Sequence, residues 1–419
     1  MSNANVDLRH VRRSGKMCGV KVLVVHNRYR RRGGEDSVFE NECAMLEAAG
    51  VSVARFEVSN DEIPAGWRSF ALLFTTVWNR KSARAIRDAI RREKPDVAHF
   101  HNIFPIISPA AYWACAAEGV PVVQTIHNFR LCCLNAYLLR DAKVCELCLG
   151  KNPWRGVVRK CYRDSFAQSF AVWAMLTVHR ALGTFRKKVS VYVALTRFGS
   201  RKLAEAGLPA EKIVVKGNAV RPHPAPSPAP NSAPPPAPTV LYAGRLSPEK
   251  SPGILVEAWR LCHGNLPPGS KCVFIGDGPE RESSEKSAEG LPGVEFTGIL
   301  PPAQVAERMR QATVLVSPSV CYEMFPMALS EAAAAGLPVI ASDLGAFAAL
   351  VKDGETGFLF PPGDAVALSG TLTRLLASPA ALRAAGENAR LAFLAGESVP
   401  ERNLARLLEI YGKAAGAPR

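Results

Sequence analysis

Long apolar runs are missing from this 419-residue chain: no uninterrupted stretch approaches the about 20 residues that a membrane-crossing helix needs, so no bilayer span is expected. Behind the polar, basic first residues there is no apolar segment of the kind a secretory signal carries, so the chain is expected to stay in the cytoplasm. Acidic residues are scarce beside basic ones, 37 Asp and Glu against 52 Lys and Arg, for a formal net charge of +15. That balance points to a partner bearing negative charge, whether nucleic acid, an anionic lipid surface or a phosphorylated small molecule. The 11 cysteines are accompanied by no export signal and are read as reduced thiols or metal ligands rather than as a disulfide framework. No internal repeat is present.

Proline is plentiful and gathers at 222–238, where near-alternation stiffens the chain into an extended spacer with few backbone donors for a core. It separates a first domain, 19–221, from a second, 239–398, followed by a terminal helix and tail, 399–419. In the first, residues 20–25, 96–100, 120–125 and 190–195 are short apolar runs separated by helical stretches; in the second, 239–243, 272–275, 294–297, 314–317 and 339–342 alternate in the same manner. Such alternation implies two α/β domains with parallel sheets, which bind ligands at the carboxyl ends of their strands, and hence a cleft between them.

The second domain carries the densest chemistry. After the strand 314–317, Glu323 precedes a short helix containing Glu331, with Pro326 suited to its start, Gly336 just past its end and Pro338 blocking continuation. Its N-terminus attracts an anion through free amides, including that of Met327, while the two carboxylates can accept hydrogen bonds from sugar hydroxyls. Either acid could instead be a simple dipole partner. Strand 239–243 runs into Gly244 and a turn presenting Arg245 and Lys250, two cations able to neutralise a diphosphate. Gly276 and Gly278 follow strand 272–275 in a loop that permits close backbone approach, although the third glycine of a dinucleotide fingerprint is lacking.

In the first domain, Gly33 and Gly34 precede a helix and could let amides reach a phosphate. The basic residues Arg9, Arg12, Arg13 and Lys16 suit a solvated arm, whereas Arg28, Arg30, Arg31 and Arg32 sit closer to the chemistry. His99, His101 and His127 lie at the ends of two successive strands; no acid stands beside them in sequence at metal spacing, so hydrogen bonding is the expected role. Cys133, Cys145, Cys148 and Cys161 fall in an insertion at about 131–165 and suit a closed structural zinc site, with unconnected buried thiols as the other reading and Cys132 confusing the ligand choice. Residues 165–182 are apolar around more than one face, as in a core helix or one lying on a membrane surface.

The spacing of Glu323, Phe325 and Glu331 resembles the signature of glycosyltransferase family 4, and the segment 244–253 resembles that family's GRxxxEKG element, with Gly253 displaced. The resemblance implies a GT-B fold: two Rossmann-like domains facing across a cleft, with the C-terminal helix crossing back to the first. It implies transfer of a hexose from a nucleotide diphosphate sugar, with retention, to a glycan or lipid-linked acceptor in cell-surface polysaccharide synthesis. Carried over by motif, Gly33, Gly34, Gly244, Arg245, Lys250, Gly276, Gly278, Gly298, Ile299, Glu323, Met324, Phe325, Met327 and Glu331 contact the donor. His127 stands close to the transferred sugar, His101 lies on the acceptor side, and Arg245, Lys250, His127 and Glu323 do the chemistry. The chain has no AspxAsp motif, which suits a site where cations and a helix dipole replace a catalytic metal. Pro326 stands where many members have glycine and removes one amide. The enzyme is expected on the inner membrane face, without nucleic acid. A basic zinc-containing nucleic-acid-binding protein, or a GT-B epimerase or phosphorylase, remain as alternatives.

Overall fold

The computed structural model describes residues 20–30, 33–63, 71–222 and 237–416. Arg9, Arg12, Arg13, Lys16, Arg31, Arg32 and most of the proline-rich stretch lie outside the described residues. The first domain is built on β1 (Lys21–Arg28), β2 (Ser52–Ser59), β3 (Val97–Phe100) and β4 (Val122–Ile126). A small antiparallel hairpin of β5 (Leu139–Arg140) and β6 (Lys143–Val144) then interrupts the sheet before β7 (Val191–Ala194) and β8 (Ile213–Val215). The second domain contributes β9 (Thr239–Ala243), β10 (Lys271–Ile275), β11 (Val294–Gly298), β12 (Val314–Ser317), β13 (Val339–Ser342) and β14 (Phe358–Phe360).

Both sheets have six parallel strands, ordered β2-β1-β3-β4-β7-β8 and β11-β10-β9-β12-β13-β14. The central strands are buried on both faces, as a parallel sheet covered by helices requires, and this is why they read as continuous apolar runs. Each domain has helices on both sides of its sheet, and in each the strand order reverses beside the first strand, opening a crevice at the carboxyl ends.

The terminal helix Pro400–Ala415 belongs to the first domain's core. Leu407, Leu408, Ile410, Tyr411 and Ala414 pack with Val22, Val24, Phe39, Val97, Val123 and Val191, as the expected crossing requires. Its Asn403 donates to the Gly217 carbonyl at 2.8 Å. Helix Phe166–Ala181 resolves the two readings of its apolar pattern into two faces: Val172, Met175 and Leu176 enter the core, while Phe166 and Phe170 are exposed. Among the described residues no single helix is long and apolar enough to cross a membrane.

Candidate active site

Two loops meet at the carboxyl edge of the second sheet. The turn after β9 and the segment after β12 are joined by the Val320 amide, which donates to the Glu249 carbonyl at 3.1 Å. Across that junction the Lys250 ammonium stands 2.5 Å from the Glu323 carboxylate, and Ser319 Oγ donates to the other Glu323 oxygen at 2.6 Å. Burial works against the charge on Lys250, but Glu323 more than offsets it and leaves the ammonium pKa raised. Arg245 is exposed and makes no side-chain hydrogen bond or ion pair among the described residues. It lies within electrostatic reach of Tyr137, which the insertion after β4 brings over this edge beside Glu249.

Helix Met327–Ala335 follows, with Pro326 at its N-cap rather than inside its first turn and Gly336 closing it at φ 73. Glu331 on this helix has no hydrogen-bonding or ionic partner among the described residues, and burial pushes its carboxyl above the ordinary range. A half-buried carboxylate held without a partner is an open acceptor for a hydroxyl.

Met324 and Phe325 do not offer side chains to a donor. Met324 is buried against Gly199, half-buried Phe325 lies against Gly217, and Tyr322 meets Phe198 edge-on with ring centroids 4.7 Å apart, the partners all in the first domain. What these two positions can present is backbone. The glycines after β10 also differ from expectation. A β-carbon on Gly276, at φ 134, or on Gly278 would strike the carbonyls of Gly244 or Leu246, so the close approach they permit is between neighbouring turns of the protein. The Gly244 amide is already bonded to the Ile275 carbonyl at 3.0 Å. Gly298, at φ 73, accepts the Gly276 amide through its carbonyl, and Ile299 is 77% exposed.

On the first domain's edge, Gly33 and Gly34 have no left-handed backbone, and the Gly33 amide is taken by Asp36 Oδ2 at 2.7 Å, which caps helix Gly34–Ala48. Arg28 is paired with Glu40 at 2.8 Å and Glu57 at 2.5 Å, and Arg30 donates to the Asn60 carbonyl, so these two arginines stabilise the loop. Glu35 closes the gap to the next strand, accepting from Asn128 at 2.7 Å and Tyr29 at 2.9 Å, while burial pushes its carboxyl up.

Behind this edge lies a buried polar chain. His127 Nε2 is 3.0 Å from His101 Nδ1, with the rings stacked. His101 Nε2 in turn lies 3.3 Å from Glu42 Oε1, and Lys216 holds the second Glu42 oxygen at 2.9 Å. His99 Nδ1 is 3.2 Å from the same Glu42 Oε1 and 2.8 Å from the Tyr411 hydroxyl of the crossing helix. Burial alone would raise the Glu42 carboxyl, but Lys216 and then His99 overturn this and hold it well below the usual range. Burial drives the His101 pKa down to about 4 and that of His127 well below its ordinary value, so both rings are neutral near pH 7. A carboxylate only accepts, which favours the proton on His101 Nε2. His101 Nδ1 then accepts from His127, whose Nδ1 carries the remaining lone pair.

Sequence spacing placed no acid beside these histidines; the fold brings Glu42 to them from the first helix. Among the described residues Glu42, His99 and His101 are the one set of three such ligand atoms within 4.8 Å of one another. Lys216, 1% exposed, already supplies the positive charge there, which suits an ion-pair network more than a metal. Glu42 could have been found in the sequence as a charge in the stripe Val38, Phe39, Cys43, Leu46, and Lys216 as a charge ending the apolar run of β8. The thiols of Cys133, Cys145, Cys148 and Cys161 are looser than the histidine set; Cys132 is fully buried and donates to the Phe129 carbonyl, which removes it from that group.

Comparison with known proteins agrees with this architecture. The pattern of the glycosyl transferase 4-like domain matches residues 4–219, and that of glycosyl transferases group 1 matches residues 227–392. The phosphatidyl-myo-inositol mannosyltransferase of Mycobacterium leprae is 37% identical over 145 residues, 33% of this chain and 37% of that protein. The amylovoran biosynthesis glycosyltransferase AmsK of Erwinia amylovora is 30% identical over 192 residues, 43% of this chain and 46% of that protein. These alignments therefore span less than half of either relative. Among solved structures, sucrose-phosphate synthase from Thermosynechococcus elongatus superposes with a TM-score of 0.69 at 19% identity, covering 94% of this chain and 98% of that one. HepE of Anabaena in complex with UDP gives 0.64 at 16% identity, covering 94% and 100%. The fold is GT-B, and the chain belongs to the glycosyl transferase 4-like family.

Proposed function

We propose that this chain transfers a hexose from a nucleotide diphosphate sugar to a glycan or lipid-linked acceptor, with retention of anomeric configuration. The observation that carries the reading is the Lys250–Glu323 pair at the junction of two strand ends, flanked by exposed Arg245 and unpartnered Glu331. A diphosphate entering beside Arg245 competes for the Lys250 ammonium and frees Glu323 to accept from a sugar hydroxyl; Glu331 takes the ribose. As the glycosidic C–O bond breaks, its electron pair passes to the diphosphate oxygen, where Arg245, Lys250 and the amides opening helix Met327–Ala335 hold the charge. The acceptor oxygen bonds to the anomeric carbon on the same face, and its proton goes to the departing phosphate oxygen. His127 Nδ1 positions the sugar. This assigns the stabilisation of the leaving group to side chains and a helix end instead of a divalent cation.

Exposed aromatic and basic side chains support an acceptor at a membrane. Trp154 and Phe170 are exposed at 42% and 41%, with ring centroids 6.3 Å apart, and Phe166 is exposed beside them. Arg155, Arg159 and Arg163 are exposed on the same insertion. Aromatic rings ringed by cations suit an anionic bilayer, here at the cytoplasmic face, carrying a lipid-linked acceptor for cell-surface polysaccharide. The relatives named for mannosyl transfer to phosphatidyl-myo-inositol and for amylovoran biosynthesis support that direction.

The test is a donor screen with UDP, GDP and ADP sugars, reading thermal shift and acceptor-dependent nucleotide release. One donor should stabilise the protein, and Glu323→Ala should lower turnover by about 10²–10³. If no donor binds and the variant turns over as the parent does, the proposal fails.

A further inference from the structure

The segment between β4 and helix Phe166–Ala181 has little secondary structure to hold it. Its ordered elements are the two-residue strands β5 and β6 and the five-residue helix Trp154–Val158. Yet of the ten described non-glycine residues with positive φ, seven lie in it: Ala136, Leu138, Asp141, Ala142, Lys160, Arg163 and Asp164. A segment that repeatedly enters this sparsely populated region needs something outside the backbone to fix it.

Three turns carrying four thiols pack on one another: the Cys145 amide donates to the Leu138 carbonyl at 2.7 Å, the Cys161 amide to the Gly156 carbonyl at 2.9 Å, and Gly156 lies against Leu134, next to Cys133. Cys133 lies beside the start of the hairpin, Cys145 and Cys148 form the turn after β6, and Cys161 follows the short helix. All four are free, with Cys133 buried and the others half-buried. Arginines surround them: Arg130 acts on Cys133, Arg140 and Arg159 on Cys161, and Arg180 on Cys148. Arg140 Nη1 is buried without any hydrogen-bond partner, a donor waiting for an acceptor beside Cys161.

We propose that Cys133, Cys145, Cys148 and Cys161 bind one structural zinc ion that fixes this insertion against the loop carrying Glu323. Binding converts four thiols to thiolates and releases four protons; the resulting net charge of −2 is what the arginines neutralise. Cys133 Sγ, now donating to Asn135 Oδ1 at 2.9 Å, turns to the metal, and bonds of about 2.3 Å draw the sulfurs closer than they stand here. Four closed ligands leave no position for a substrate. The ion's reach into the cleft is mechanical. Glu146, inside the CysxxCys turn, pairs with Lys202 at 2.9 Å and hydrogen-bonds Tyr322, next to Glu323.

The full chain, purified reduced and without chelator, is analysed for metal and titrated with a thiol-blocking reagent in the presence of a zinc indicator. One zinc per chain, released in step with four blocked thiols, is the expected result, and cobalt exchanged into the site should show the absorption of tetrahedral tetrathiolate coordination. Cys148→Ser and Cys161→Ser should lose at least about tenfold in zinc affinity, while Cys262→Ser in the second domain retains it. If the serine variants fail to fold, the parent's cobalt spectrum still decides. Absence of zinc after reconstitution with zinc chloride, two disulfides by mass, or a cobalt spectrum without thiolate bands overturns the proposal.

Discussion

Replacing Glu42 by Gln leaves the Lys216 ammonium buried, with the Gly217 carbonyl at 3.5 Å as its remaining neighbour. At 2.9 Å and an effective dielectric constant of about 20, the lost attraction is about 6 kcal/mol before the gain from not desolvating a carboxylate is set against it. Removing one member of a buried pair costs about 3–5 kcal/mol, because the surviving charge is stranded. For a domain of this size that corresponds to a fall of roughly 10 °C in the melting temperature. Five of the six tryptophans precede residue 222, so intrinsic fluorescence on heating follows the first domain in particular. The double variant Glu42→Gln, Lys216→Met removes both charges and should recover most of the loss. A single variant within about 1 kcal/mol of the parent, or a double variant no better than the single one, would refute the buried-pair account.

Two further outcomes follow from the same groups and from the exposed aromatics. The folded-state pKa of His101 is depressed to about 4 from its ordinary 6.5, so its contribution to stability is complete above pH 6.5 and is lost as pH falls toward 4, where the unfolded chain binds a proton that the folded one resists. The loss is about 3 kcal/mol for this ring; His127 and Glu42 act in the same direction within the set of His26, Asp36, His99, Lys216 and Tyr411 that surrounds them. Urea midpoints at pH 7.5, 6 and 5 should decline steadily and flatten in His101→Asn, whereas constant midpoints would contradict it. On the surface, Phe170→Glu should weaken co-sedimentation with anionic vesicles by at least about fivefold, with little change in melting temperature. Unchanged binding would remove the membrane from the proposed function.

What the sequence disclosed and what it hid divide along one physical line. Strands buried on both faces, such as β3 and β13, announce themselves as apolar runs, and they set the α/β character of both domains. In the two parallel sheets the strands that escaped detection are edges: β2, with no fully buried residue, β8, with three half-buried side chains, and β14, which at three residues is too short to leave such a run. Within the site, Lys250 and Glu323 were legible because each follows a predicted strand and parallel strands end together. Glu42 was not, because its meaning depends on a helix face packing under β3 and on a lysine 174 residues away. The glycines after β10 mark a close approach in the sequence, but sequence cannot say whether the approaching atom belongs to a ligand or to the next turn of the chain, and here it is the next turn.

The segment between β12 and helix Met327–Ala335 faces two ways, and this links the acid to the arrangement of the domains. Glu323 turns inward to Lys250 and Ser319 of its own domain, while its neighbours Tyr322, Met324 and Phe325 are seated in the other one. The seats depend on missing side chains. A β-carbon at Gly217 would stand 2.9 Å from the Phe325 ring, and one at Gly199 would overlap the Met324 sulfur, which is buried and has little room to withdraw. The aromatic ring is rigid, so bulk at Gly217 must be met by a shift of the segment itself. Any change in the separation of the domains therefore acts on residues one bond removed from Glu323, with the Lys250 pair as the opposing anchor. A carboxylate held between two such anchors has its position set by how the two domains meet, and displacing Lys250 would remove one of the anchors.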